Sequence, residues 1–206
     1  MTVSGPSRTV GGTEPEFLTG DGPAREAYEF AAAAHAGQKR KGGDSPYIAH
    51  PVAVARLLEG EGVADEDLIA ATFLHDVVED TERSLDDLRD RFGDEIADVV
   101  EAMTDDRSVE PYELRKDLHR DQVEAAGRRP VLIYAADKLA NLRDLRTLYA
   151  AEGEGAAAKF KAPLDVRVRL WRRDAEMVER VAPELQILDA LRAELDAFEA
   201  ERETRA

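Results

Sequence analysis

Apolar side chains along this chain return at intervals of three and four residues, and no stretch of useful length alternates apolar with polar. Helices satisfy the first pattern and strands the second, so the chain reads as helical throughout. Leu185, Leu188, Leu191, Leu195 and Phe198 form one recurring stripe near the C-terminus, suited to packing back on the same chain. From Val131 to Leu142 the helix is apolar nearly all round, which predicts burial. Punctuation sets the other elements. Pro23 fits the first turn of a helix that Tyr28 to Ala34 propagate towards Gly37, and Pro51 opens a second that runs to Gly60. Asp65 caps a third over 66–80, with acids in its first turn where the helix dipole favours them. Ser84 with Asp87 three residues on makes a capping box, although Asp is shorter than the preferred Glu. Further helices are expected over 84–91, 94–104, 112–126, 130–149, 164–181 and 184–203, with 151–158 a mobile loop. The expected organisation is all-α: a flexible leader over 1–20, one helical domain over 21–182, and a C-terminal helix and tail over 183–206.

Composition narrows the function. The 206 residues suffice for one domain with a proper core, and a hydrophobic fraction of 43% argues against wholesale disorder. Absence of cysteine removes disulfides, thiolate metal sites and thiol nucleophiles, and accords with a reducing cytoplasm. The first 22 residues have no charged start followed by an apolar run, so they read neither as a signal peptide nor as an anchor, and no stretch is long and apolar enough for a membrane span. A net charge of −16 repels nucleic acid and anionic membranes. A phosphorylated substrate would therefore need a local basic cluster, a metal, or both.

One helix concentrates the candidate chemistry. On a wheel of about 100° per residue, His75, Glu79, Asp76 and Asp80 share one arc, while Ala70, Ala71, Phe73, Leu74, Val77 and Val78 fill the rest. Taken alone this is as readily a solvated acidic face as a metal site. Three acids and a histidine crowded together nevertheless repel unless a cation joins them. His50 alone reads as a helix-entry histidine bonded to backbone. Asp137 lies in the helix expected to be buried, where a carboxylate is costly unless paired or metal-bound. Lys138, the obvious partner, projects about 100° away from it. Asn141 and Asp144 share the Asp137 face, which suggests a polar cavity. Together His50, His75, Asp76 and Asp137 offer two nitrogens and two carboxylates, a set suited to Mn²⁺ or Fe²⁺ and less distinctively to Zn²⁺. Glu79 and Asp80 would then orient or deprotonate a water and protonate a leaving group.

These residues resemble the H…HD…D signature of the HD-domain metal phosphohydrolases. The segments Gln38-Lys39-Arg40-Lys41, Pro46-Tyr47-Ile48-Ala49-His50-Pro51, Phe73 to Thr81 and Ala136 to Asp144 are similar to the hydrolase domain of RelA/SpoT proteins, in particular to the free-standing small alarmone hydrolases that include the metazoan SpoT homologue. The resemblance spans residues 24–149 and, more faintly, extends to 180. It implies a single HD-domain helical bundle that removes the 3′-pyrophosphate of (p)ppGpp with Mn²⁺. It implies His50, His75, Asp76 and Asp137 as metal ligands, Glu79 and Asp80 as the catalytic pair, Arg40 and Lys41 against the nucleobase and phosphates, and Asn141 at the ribose. Arg167 and Trp171 align loosely with a substrate-contacting Arg and aromatic; a surface Arg beside a core Trp accounts for them equally well. Residues 150–163 have no clear counterpart. His35 reads as a structural hydrogen-bonding group and His119 as solvent-exposed. Two other readings stay open: the same chemistry on another nucleotide, such as the 2′-phosphate of NADPH or a nucleoside phosphate, and a nucleotide sensor without turnover. Oligomeric state is not legible.

Overall fold

The computed structural model describes residues 15–40, 43–160 and 162–205. Its helices are α1 Pro23–Ala34, α2 Ala49–Gly60, α3 Glu66–Leu74, α4 Val77–Asp80, α5 Leu85–Phe92, α6 Asp94–Met103, α7 Tyr112–Ala125, α8 Arg128–Glu152, α9 Leu164–Val181 and α10 Gln186–Arg205. The described residues contain no strand beyond one isolated bridge, Lys39 to Pro46, so the all-α expectation holds. None of their helices is long and apolar enough to cross a membrane.

Helix α8 is the axis of the bundle. α2, α6, α7, α9 and α10 all pack on it, while α1 lies against α3 and α3 bridges to α6 and α2. Its burial follows from its sequence: Val131, Leu132, Ile133, Tyr134, Ala135, Ala136, Leu139 and Leu142 are all inaccessible or nearly so. The C-terminal stripe closes one side, with Leu188, Leu191, Leu195 and Phe198 buried on α8 and α9. Residues 1–14, most of the expected leader, lie outside the described ones, while Leu18 packs into the core and Arg25 donates to the Gly20 carbonyl at 2.6 Å. The Ser84–Asp87 capping box forms in full: the Ser84 amide donates to Asp87 at 2.8 Å and the Asp87 amide to Ser84 Oγ at 3.2 Å.

Four expectations are corrected. Helix 66–80 is not continuous: it stops at Leu74 and restarts as the single turn α4. The cause is local, because His75 Nδ1 donates to the Thr72 carbonyl at 2.7 Å, the acceptor a continuing helix would offer to the Asp76 amide. The supposed loop at 151–158 extends α8 to Glu152 and then forms a 3₁₀ segment, Gly153–Lys159, pinned by fully buried Ala156. Gly153 makes the junction with φ +60, a conformation glycine adopts without a Cβ penalty. His119 is buried rather than exposed, with Nε2–H donating to the Met103 carbonyl at 2.7 Å. Lys138 does reach Asp137, as described next.

Candidate metal and nucleotide site

The break after α3 places His75 and Asp76 at the inner end of a cavity of about 610 Å³. α2 contributes His50 from its first turn and α8 contributes Asp137 from its buried middle. His50 Nε2 lies 3.0 Å from Asp137 Oδ1 and 3.6 Å from Asp76 Oδ2; His75 Nε2 lies 3.3 Å from Asp76 Oδ2 and 3.9 Å from Asp137 Oδ1. One donor atom from each of His50, His75 and Asp137 falls within 4.8 Å of the others. All four residues that the sequence nominated as ligands therefore converge.

Charge explains what this cluster needs. His75 Nε2 is buried without a hydrogen-bond partner, and its other nitrogen is committed to Thr72, so in the neutral ring a lone pair points at the carboxylates. Burial by itself would lower the His75 pKa; the charges of Asp76 and Asp137 outweigh it and lift it to about 9. Asp137 is held well below the usual carboxylate range: burial opposes this, but Lys138 and the two imidazoles prevail. A divalent cation would take the place of the His75 proton, with neutral rings and ionised acids as its ligands, and the donor chemistry present suits it. The residues fit such an ion.

Lys138 leaves its own helical direction to reach Asp137. Its Nζ is 2.9 Å from Asp137 Oδ2 and 3.9 Å from the centre of the Tyr134 ring. A flexible four-carbon stem and an aromatic face on the preceding turn overcome the 100° separation that a wheel assigns. Asp137 thus has one oxygen for the cluster and one for lysine. Asn141 extends the line, donating to Asp137 Oδ1 at 2.5 Å and accepting from Arg40 at 3.2 Å. Arg40 also pairs with Asp144 through Nε at 3.2 Å. Lys41, expected beside it, lies outside the described residues.

Glu79 and Asp80 line the same cavity. Glu79 accepts from the Asp105 amide at 2.7 Å, and burial, then the charge of Asp76, pushes its carboxyl up to about 7. Arg107 spans the pair, 3.3 Å from Glu79 and hydrogen-bonded to Asp80. Tyr47 donates towards Asp76 Oδ2 at 2.6 Å and Asp80 Oδ2 at 2.8 Å. At the far wall the Arg167 guanidinium is sandwiched between Phe160 (4.6 Å) and Trp171 (4.7 Å). Among the described residues its one side-chain hydrogen bond is a 3.5 Å contact with Tyr112 and its Nε has no partner, and burial lowers its pKa. Trp171 is buried and still lines the cavity. Local positive charge is therefore present: Lys39, Arg40, Arg107, Arg115, Lys116, Lys138 and Arg167 face one cavity, alongside seven carboxylates.

Sequence reasoning passed over Arg107, Arg115, Lys116 and the role of Tyr47. The Arg115-Lys116 pair was visible as a basic doublet in α7, but its direction depends on Asp105, which holds Lys116 at 2.5 Å and Arg115 at 3.3 Å. Arg107 is in an irregular segment where no periodicity orients it. Tyr47, three residues before His50, carried the only usable signal.

The comparisons with known proteins agree with this geometry. A family model of the HD domain matches residues 27–162. The chain is 43% identical over 122 residues to the human guanosine-3′,5′-bis(diphosphate) 3′-pyrophosphohydrolase MESH1, covering 58% of this chain and 68% of that protein. The Xenopus tropicalis protein of the same name is 41% identical over 123 residues, covering 59% and 68%. A probable enzyme of that activity from Synechocystis is 40% identical over 154 residues, 71% of this chain but 20% of the longer protein. Among solved structures, a metazoan orthologue of SpoT, described as hydrolysing ppGpp, superposes with a TM-score of 0.69 at 30% identity, covering 89% of this chain and 97% of its own. With its signature residues gathered at one cavity and these proteins as its relatives, the chain belongs to the HD domain family.

Proposed function

We propose that this protein hydrolyses the 3′-pyrophosphate of (p)ppGpp, giving GDP or GTP and pyrophosphate, with Mn²⁺ as its metal. One observation carries the reading: two histidines and two aspartates converge beside Glu79 and Asp80, in a cavity that seven Lys and Arg side chains also line. Relatives that carry that activity in their names share the fold and about two-fifths of the aligned residues.

His50, His75, Asp76 and Asp137 would hold the metal, which supplies positive charge to a phosphoryl oxygen and to the attacking water. Glu79, whose carboxyl burial pushes up, would take a proton from that water. A new bond forms from water oxygen to the phosphorus attached at the ribose 3′-oxygen, and the phosphorus–ribose bond breaks. Asp80 would pass a proton to the departing 3′-oxygen, the one Glu79 takes from the water restoring the balance. Arg40 and Lys41 would face the base and its phosphates, Asn141 the ribose, and Arg167 with Trp171 a further part of the nucleotide. The mixed nitrogen and oxygen donor set suits Mn²⁺ or Fe²⁺ and is less distinctive for Zn²⁺. The cytoplasm, as the place of guanine-nucleotide turnover, fits the cysteine-free sequence.

Product analysis tests this. Protein loaded with Mn²⁺ is expected to convert ppGpp to GDP and pyrophosphate in preference to NADPH or nucleoside phosphates. Glu79→Gln with Asp80→Asn should lower turnover by about 10² or more while metal binding persists. Intact ppGpp after incubation with metal-loaded protein refutes the reading.

A further inference from the structure

Tyr47 joins two carboxylates that serve different purposes. Its hydroxyl is 2.6 Å from Oδ2 of Asp76, the same oxygen that faces both imidazoles, and 2.8 Å from Oδ2 of Asp80. Neither aspartate is placed by a long helix. The break after Leu74 leaves them on one isolated turn, where the Asp80 amide bonding to the Asp76 carbonyl at 2.9 Å is the main local constraint.

A ring of contacts from outside that turn compensates. Gln38 Nε2 donates to the Asp80 carbonyl at 2.7 Å, and Gln38 Oε1 accepts from His35 Nδ1 at 2.8 Å. The His35 ring then stacks on Tyr47, 4.5 Å between centroids and 22° between planes. Backbone and side chain of Asp80 are thus gripped by one connected unit from the end of α1 and the loop before α2. His35, a buried group outside the metal cluster, acquires a purpose: it orients Tyr47. On the opposite side Asp80 Oδ1 meets Arg107, so both its carboxylate oxygens are occupied.

We propose that Tyr47 is a positioning residue that ties the metal ligand Asp76 to the proton-handling Asp80. The inference rests on the function proposed above for Asp80. A phenol has one proton, so it serves two carboxylates fully only if one gives way. With Asp76 Oδ2 engaged as a ligand, the Tyr47 hydroxyl donates to Asp80 Oδ2 alone and, with Arg107 on Oδ1, fixes that carboxylate towards the leaving group. Seating of the metal and orientation of the acid then become one event.

Tyr47→Phe keeps the ring, its stacking on His35 and the fold, and removes only the hydroxyl. Three measurements decide. The first is Mn²⁺ Kd by titration, expected to stay within about threefold of wild type, since four ligands remain. The second is kinetics with ppGpp, where kcat is expected to fall about thirtyfold with KM nearly unchanged, the sign of lost positioning rather than lost binding. In the background of Asp80→Asn the same change should cost less than about threefold, because the two act as a unit. The third is a crystal structure of the Mn²⁺-loaded variant, expected to show the Asp80 carboxylate rotated away from its wild-type place. An unmoved Asp80 carboxylate overturns the inference, as does a full thirtyfold loss retained in the Asp80→Asn background. A Kd weakened beyond tenfold overturns it too, and assigns Tyr47 to the metal alone. Should wild-type protein leave ppGpp intact, the proposed function fails, and the position of Asp80 in the variant structure still decides the part played by Tyr47.

Discussion

His50 Nε2 and Asp137 Oδ1 are 3.0 Å apart, although 87 residues separate them in the chain. α2 and α8 bring them together because each buries its apolar face on the other. The contact is thus a by-product of core packing put to chemical use. With no cation present it is a hydrogen bond; with one present both atoms are available as ligands.

The first prediction follows from that pair. Asp137→Asn should weaken Mn²⁺ binding by about a hundredfold or more, since it removes a ligand charge and leaves the imidazoles without a counter-charge. Calorimetric titration measures this. Treating wild-type protein with a chelator should abolish turnover, and adding back Mn²⁺ should restore it. Turnover that survives complete chelation would contradict the metal assignment.

Lys138→Met makes a sharper distinction. The lysine is the buried counter-charge of Asp137 in the metal-free protein, with side-chain exposures of 12% and 10%. Removing one partner of such a pair costs about 3 kcal/mol. A bound divalent cation would take over part of that compensation. The loss, read by urea unfolding, is therefore expected to be larger in chelator than in saturating Mn²⁺. Equal losses in both would mean that lysine and metal do not share Asp137.

His119 gives a pH dependence of stability. Burial, then the charges of Lys138 and Lys116, push its pKa down to about 4, against an ordinary 6.5. The unfolded chain binds this proton more readily than the folded one, so the contribution is intact above 6.5 and is lost as pH falls towards 4. His119→Gln retains a donor for the Met103 carbonyl and cannot be protonated. Between about pH 7 and pH 5, wild type should lose roughly 2 kcal/mol more than the variant by denaturant unfolding. Parallel curves for the two proteins would refute it.

Asp174 anchors a second buried polar group, in the cavity wall. It accepts from Arg120 Nε at 2.7 Å and from the Tyr134 hydroxyl at 2.9 Å, and is 3% exposed. Asp174→Ala strands both donors and should destabilise by about 3 kcal/mol or more. Arg120→Met in the same chain should recover part of that loss, giving a clear coupling energy in a double-mutant cycle. Additive losses would show that the two residues are energetically independent.

Helix type and order were legible because each depends on neighbours in sequence. Ser84 and Asp87 cap α5, and the apolar run around Ile133 marks a buried helix, with no reference to the rest of the chain. His50, His75, Asp76 and Asp137 could be nominated since a buried carboxylate and a crowded acidic arc both lack charge balance on their own. What stayed hidden were directions. A wheel treats residues 66–80 as one rigid helix, but the bond from His75 to Thr72 breaks it. It aims Lys138 away from Asp137, yet a long flexible side chain needs only an aromatic face to bend back. His119 looked solvated among charged neighbours, and burial followed from where α7 meets α6, α8 and α9.

By itself, then, the sequence determined an all-helical chain carrying a set of ionisable residues that could not be left uncompensated together. Only the tertiary structure decided that His50, the His75–Asp76 turn and Asp137 share one point, that Tyr47 links that point to Asp80, and that seven basic side chains line the surrounding cavity. The reason is range. Periodicity and capping act over a few residues and are written into the order of amino acids, whereas the approach of α2, the α3–α4 break and α8 is set by how their apolar faces pack.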